Sequence, residues 1–147
     1  MSGDKSDVAR DRLLVVRRWL AVADLDVRSA YACLDTQEPI RETAAYHCQQ
    51  AVEKLAKGLL VLAQVPFRKT HDLEALRDLV AAHFPDLTAA IDRLVPLTDW
   101  GHIYRYPDIS DEPVPSLEEL RNVLGDIVTL AEAVLSRIEP IPPPALR

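Results

Sequence analysis

The stretch HCQQAVEKLAK, His47 to Lys57, carries two helical patterns at once. Cys48, Ala51, Leu55, Leu59 and Leu62 recur at spacings of three and four, the signature of a helix with one buried stripe. His47, Gln50, Lys54 and Lys57 repeat at the same spacing. At about 100° per residue, those four side chains fall within roughly an 80° arc that borders the apolar stripe. An imidazole, an amide and two ammonium groups aligned in this way suggest the wall of a polar groove.

Working outward, the same periodicity recurs on both sides of this helix. Leu13, Val16, Leu20, Ala23, Val27, Ala30 and Leu34 alternate spacings of three and four, so a first long helix is expected from about Asp7 to Leu34, with Trp19 beside the stripe. Asp35 to Glu38 make a polar break. Pro39 suits the first turn of the second helix, where a missing N–H costs nothing. That helix should run to about Gln64 and close at Pro66.

Thr70 offers an N-cap for a third helix, with Leu73, Leu76, Leu79 and Val80 turned inward. A short fourth helix uses Leu87, Ile91 and Leu94 and is interrupted at Pro96. Residues 98–115 have no sustained period but hold Trp100, Tyr104 and Tyr106, which marks them as a functional loop. SLEE, from Ser116, reads as a capping box that opens the last long helix, lined by Leu120, Val123, Leu124, Ile127, Ala131, Val134 and Ile138. Residues 1–139 therefore read as one all-α domain, an antiparallel up-and-down bundle of four to five helices; residues 140–147 read as a mobile Pro-rich tail.

Composition narrows the function classes. At 147 residues and 48% hydrophobic, the chain is large enough for a core without staples. A charged N-terminus and the lack of a long apolar run predict a cytoplasmic protein without a membrane segment. Cys33 and Cys48 then read as reduced thiols. A net charge of −6 argues against broad electrostatic capture of a duplex. Locally the balance reverses, because no Asp or Glu occurs from Lys54 to His71, whereas Lys54, Lys57, Arg68 and Lys69 are basic. Such a patch suits a discrete phosphate-bearing ligand; solvated lysines around a turn are the plain alternative.

No CxxC pair, HExxH or Gly-rich phosphate loop is present, so no metal and no cofactor is expected. His71 and Asp72 fit a helix start better than a metal site. Arg41 and His47 form an Arg-x5-His string, but on one helix they are separated by a rotation of roughly 240°, about 120° the short way, and do not converge. Glu53 and Lys57 stand in the favourable order for a surface ion pair, which leaves Lys54 freer to meet a ligand. In YRYPD, Arg105 can fork onto phosphate while Tyr104 and Tyr106 stack on a base; equally, Arg105 can pair with Asp108 while the tyrosines pin the loop.

Three segments in this order, AAYHCQQAVEKLAKGLLV, KTHDLEAL and YRYPD, resemble the HEPN domain (higher eukaryote and prokaryote nucleotide-binding), and the resemblance covers the chain from Trp19 to the last helix. It implies a bundle similar to the C-terminal domain of kanamycin nucleotidyltransferase. It further implies a homodimer, often encoded beside a minimal nucleotidyltransferase in a toxin–antitoxin-like pair. Family members are nucleotide- or RNA-binding modules or metal-independent ribonuclease toxins with an Arg-x4–6-His motif before the final helices. This chain departs from that motif: His102 precedes Arg105, Arg93 lies too far upstream, and the matching string sits on an earlier helix.

The expected function is binding of a nucleotide or RNA phosphate, as the partner of a nucleotidyltransferase. The candidate ligand contacts are His47, Gln50, Lys54, Lys57, Lys69, His71, Arg105, Tyr106 and Asp108. A ribonuclease using His102, Arg105 or His47 is the enzymatic alternative, and a helical interaction scaffold without ligand is the third.

Overall fold

The structure is a computed structural model describing residues 2–104 and 111–144. Five α-helices are described: α1 (Ser2–Leu34), α2 (Arg41–Leu62), α3 (Leu73–His83), α4 (Thr88–Asp92) and α5 (Leu117–Ser136). Short 3₁₀ segments at Pro85–Leu87 and Val95–Gly101 flank α4, and no strand occurs among the described residues. The all-α bundle expected from the periodicity is the fold observed.

Helix α2 is the central element, with thirteen of its residues buried. Its apolar stripe meets Val16, Ala23, Val27 and Ala30 of α1 on one side and Leu120, Leu124, Ile127 and Leu130 of α5 on the other, in one continuous core. Gly58 lets α1 approach closely, since a Cβ there would stand 3.2 Å from the Trp19 Cβ. Trp19 in turn lies edge-on to Phe67 in the connection after α2, with ring centroids 6.4 Å apart. Arg121–Asp35 joins the start of α5 to the end of α1, and Arg17–Glu139 joins the segment after α5 to the middle of α1, so the two run antiparallel.

Each boundary has a local cause. Helix α2 ends in a Schellman motif: Val65 N–H donates to the Leu60 carbonyl and Gln64 N–H to that of Val61. Gln64 takes the left-handed position, φ 59°, that glycine usually fills. Pro66 lies just beyond this stop rather than causing it. Helix α3 is capped by Asp72 rather than Thr70; the Asp72 carboxylate accepts from Glu74 and Ala75 N–H, while the Thr70 hydroxyl accepts from Asp72 N–H. A carboxylate in this place complements the helix dipole as well as the free amides, so it outcompetes a hydroxyl two residues earlier. Ser116 caps α5 as the SLEE pattern predicts, accepting from Glu119 N–H at 3.1 Å.

The stretch 98–115 is not wholly irregular. Pro96 opens a 3₁₀ segment in its first turn, where a proline is tolerated, and Leu97 and Ile103 are buried. At the C-terminal side, Arg10 donates to the Pro142 carbonyl and so ties that part of the chain to α1.

Candidate functional site

A cleft of about 320 Å³ opens where α2, the start of α3 and the 3₁₀ segment Val95–Gly101 meet. Its lining comes from Tyr46, Gln49 and Gln50 on α2, His71 and Asp72 before α3, and Thr98, Gly101 and His102. Residues from three distant parts of the sequence thus share one small space.

The organising residue is Gln49, whose side chain is fully buried. Its amide donates to the His71 carbonyl at 3.3 Å and reaches the Glu53 carboxylate at 3.5 Å. Its oxygen accepts from the Gln50 amide at 2.7 Å. Gly101 packs directly onto this amide: a Cβ there would stand 2.9 Å from Gln49 Oε1. Thr98 closes the other side, accepting from Leu73 N–H at the first turn of α3 while donating to the Val95 carbonyl. The floor is therefore cross-braced to both walls.

Behind the cleft lies a buried carboxylate that holds two basic groups. Glu53 is 4% exposed; it accepts from Lys57 at 3.3 Å and lies 2.6 Å from His71 Nδ1. Because Glu53 also faces an ammonium, it is the acceptor, and His71 Nδ1 carries the shared proton. The side chain of His71 is otherwise 79% exposed, so its Nε2 remains to meet a ligand. An imidazole oriented in this way is suited to accept a hydroxyl proton at Nε2 and, once doubly protonated, to donate to a phosphate oxygen.

A second carboxylate works the same way on the opposite flank of α2. Asp26 of α1, itself buried, accepts from Lys54 and lies 2.8 Å from His47 Nδ1. This pairing fastens α1 to α2 and divides the polar stripe on α2. His47 and Lys54 turn to Asp26, Lys57 sinks beneath the surface to Glu53, and Gln50 faces the cleft. Lys54 is held rather than left open, and Glu53–Lys57 is a buried pair rather than a surface one. The reason is tertiary, since the acid-free run after Lys54 takes its counter-charges from α1 and from Glu53 just before it.

Of the other candidates, His71 and His102 line the cleft, while Arg68 and Lys69 are exposed just before His71. Arg105, Tyr106 and Asp108 lie outside the described residues. Tyr104 donates to the Pro113 carbonyl at 3.3 Å, and burial, with the charges of Glu112, Glu119 and Asp99, pushes its phenol above the ordinary value. Arg41 donates to the Pro115 carbonyl, well away from the Asp26–His47 contact, so the Arg-x5-His string does not converge.

Tyr46, Gln49, Asp72, Thr98 and Gly101 join the cleft without having been singled out as ligand contacts. For Gln49 a signal existed: Ala45, Gln49, Val52 and Ala56 repeat at helical spacing, an amide inside an apolar stripe. The two cysteines are free; burial and the Asp26 charge push the Cys48 thiol up to about 12, which leaves it unreactive. Among the described residues there is no group of three potential metal ligands, and no helix is long and apolar enough to cross a membrane.

No significant match to the chain is found among curated proteins or among solved structures. A family model described as HEPN domain matches residues 16–140, a span that takes in α2, the cleft and α5. The chain belongs to the HEPN domain family, which associates it with nucleotide- or RNA-related function.

Proposed function

We propose that this protein binds a nucleotide or RNA phosphate in the cleft between α2, α3 and the Val95–Gly101 segment. The observation that carries this reading is the convergence of Gln50, His71 and His102 around the buried Gln49 amide. His102 supplies an N–H donor for a phosphate oxygen. His71, its Nδ1 proton turned to Glu53, offers Nε2 as an acceptor for a ribose hydroxyl, and as a phosphate donor only when the ring is doubly protonated. Gln50 retains one amide N–H and its carbonyl oxygen for a base edge, and Tyr46 offers a ring for stacking. Lys69, exposed just before His71, adds charge, and Arg105, Tyr106 and Asp108, which lie outside the described residues, are further candidate contacts by their chemistry alone. His47, Lys54 and Lys57 support the site through α2 and do not contact the ligand.

Thermal-shift and calorimetric titrations with ATP, GTP and oligoribonucleotides test this. Stabilisation by one of them should fall at least ~10-fold in affinity in His71→Ala plus Gln50→Ala, a loss of about 1.4 kcal/mol or more. Lys54→Ala should leave that affinity nearly unchanged. Absence of any shift, with every ligand, would sink the proposal.

In the same reading the protein is a homodimer and the partner subunit of a minimal nucleotidyltransferase in a toxin–antitoxin-like pair. The dimer is assigned to the outer face of α1, where Val8, Val15 and Val22 repeat every seven residues and stay exposed beside Leu25. In sedimentation equilibrium, Val15→Asp with Val22→Asp should convert a dimer into a folded monomer. An unchanged mass would remove this face from consideration.

A second reading, a metal-independent ribonuclease, draws support from the His71–Glu53 contact. One imidazole would take the proton of a 2′-hydroxyl as it attacks phosphorus. The other would protonate the departing 5′-oxygen, leaving a 2′,3′-cyclic phosphate. Incubation of a mixed RNA pool in EDTA should then give fragments, at a rate reduced at least ~10²-fold by His71→Ala or His102→Ala. Cleavage indifferent to both changes would rule out these roles.

A further inference from the structure

Between α1 and α5, away from the cleft, the bundle leaves an apolar slot of about 430 Å³. Leu20, Ala23 and Val27 form one wall, Val128, Ala131 and Leu135 the other, and Leu55 of α2 lies at the bottom. The slot exists because the facing positions carry alanine. At Ala21, Ala23 and Ala131 no side chain is long enough to reach across, so the gap between α1 and α5 over Leu55 stays unfilled. From Arg17 to Val27 it follows α1 for about 15 Å, the rise of roughly three helical turns.

We propose that this slot is the docking site of an amphipathic helix from a partner protein, with a basic residue at the middle of its flank. The dimensions suit a helix edge. Leu20 and Val27 on one wall, and Val128 and Leu135 on the other, are each seven apart, the two-turn spacing on which an incoming apolar stripe repeats. The charges select the flank. Asp24 on α1 and Glu132 on α5 stand at the slot, whereas its one basic liner, Arg17, is held by Glu139 at 3.0 Å. Asp24 has Arg28 at 3.5 Å, an exposed pair that a partner's lysine can exchange with, and Glu132 has no cation partner among the described residues. An acidic mouth over an apolar floor selects a lysine- or arginine-bearing helix and disfavours an acidic one.

The valine stripe of α1 does not compete for this role. At about 100° per residue, Val8, Val15 and Val22 point to the side of α1 opposite the slot, so a second copy and a partner helix can bind together.

The test uses the full chain and a fluorescein-labelled synthetic helix of about 14 residues, roughly 21 Å long. Leucines are placed at alternating spacings of three and four, with two lysines on the flank. Fluorescence anisotropy should give an affinity at least ~10-fold tighter than for a peptide of equal composition without the leucine period. Ala131→Trp, which fills the slot, should abolish binding with far-UV circular dichroism unchanged. Glu132→Lys, at an exposed position, should reverse the preference toward a peptide whose lysines are replaced by glutamates, and this variant decides the matter if Ala131→Trp is unstable. Equal affinity for the periodic and scrambled peptides overturns the proposal, as does a preference that Glu132→Lys leaves unaltered. A dimer that Ala131→Trp converts into a folded monomer in sedimentation equilibrium would overturn it in favour of a second copy seated in the slot.

Discussion

Replacing Glu53 by alanine is expected to destabilise the protein by about 3–5 kcal/mol, a fall in melting temperature of roughly 10 °C for a chain of this size. The cause lies in what remains. Lys57 is only 8% exposed, and without Glu53 its ammonium would sit under the surface without a counter-charge, while His71 would lose the acceptor that orients it. Removing one partner of a buried pair costs far more than the pair contributes, because the desolvation of the other partner is no longer offset.

Two comparisons separate this cause from simple loss of packing. Glu53→Leu combined with Lys57→Met should recover most of the stability, since neither charge then needs compensation. Asp26→Ala should cost only about 1 kcal/mol, because Lys54 and His47 are about a quarter exposed and can turn to water. Urea unfolding monitored by circular dichroism measures all three. A Glu53→Ala loss no larger than that of Asp26→Ala would show that Lys57 escapes to solvent and would refute the buried-pair account.

Gly101→Ala is expected to destabilise the protein by about 1–2 kcal/mol and to weaken cleft binding at least ~10-fold. On propensity alone the change should help, since glycine in a helical segment costs roughly 0.5–1 kcal/mol relative to alanine. Packing opposes it: the new Cβ would come 2.9 Å from Gln49 Oε1 and 3.0 Å from Gln49 Cδ. The end of a glutamine is normally easy to displace. This one is fully buried, and moving it breaks its bonds to the His71 carbonyl and to Gln50. Leaving such buried groups unsatisfied costs about 1–3 kcal/mol, which exceeds the propensity gain. The companion change Gly125→Ala meets nothing within 4 Å and should be neutral or slightly stabilising. If Gly101→Ala behaved like Gly125→Ala in thermal unfolding, the bracing role of Gln49 would fail.

The apolar periods translated almost directly into structure. Val16, Ala23, Val27, Ala30 and Leu34 on α1, and Leu120, Leu124, Ile127, Val134 and Ile138 at α5, are buried as their spacing implies. Boundaries were less accessible. Asp72 displaced Thr70 as the cap of α3, and the stop of α2 came from Gln64 in a left-handed conformation that no residue-type preference signals. The polar groups were the hardest to assign. His47, Gln50, Lys54 and Lys57 form one stripe in sequence, yet they have three destinations in space.

By itself, then, the sequence determined the all-α bundle and the central place of the helix containing HCQQAVEKLAK, because burial of apolar surface follows a local period of 3.6 residues, and its motifs determined membership of the HEPN family. Only the tertiary structure decided which polar residues of that helix are spent inside the molecule. A charge takes its partner by distance through space, and Asp26 lies on another helix, 21 residues from His47 and 28 from Lys54. The same holds for the cleft. Gln49, His71 and Gly101 meet there only because the Val95–Gly101 segment folds back over α2 beside the start of α3, a juxtaposition that no local period contains.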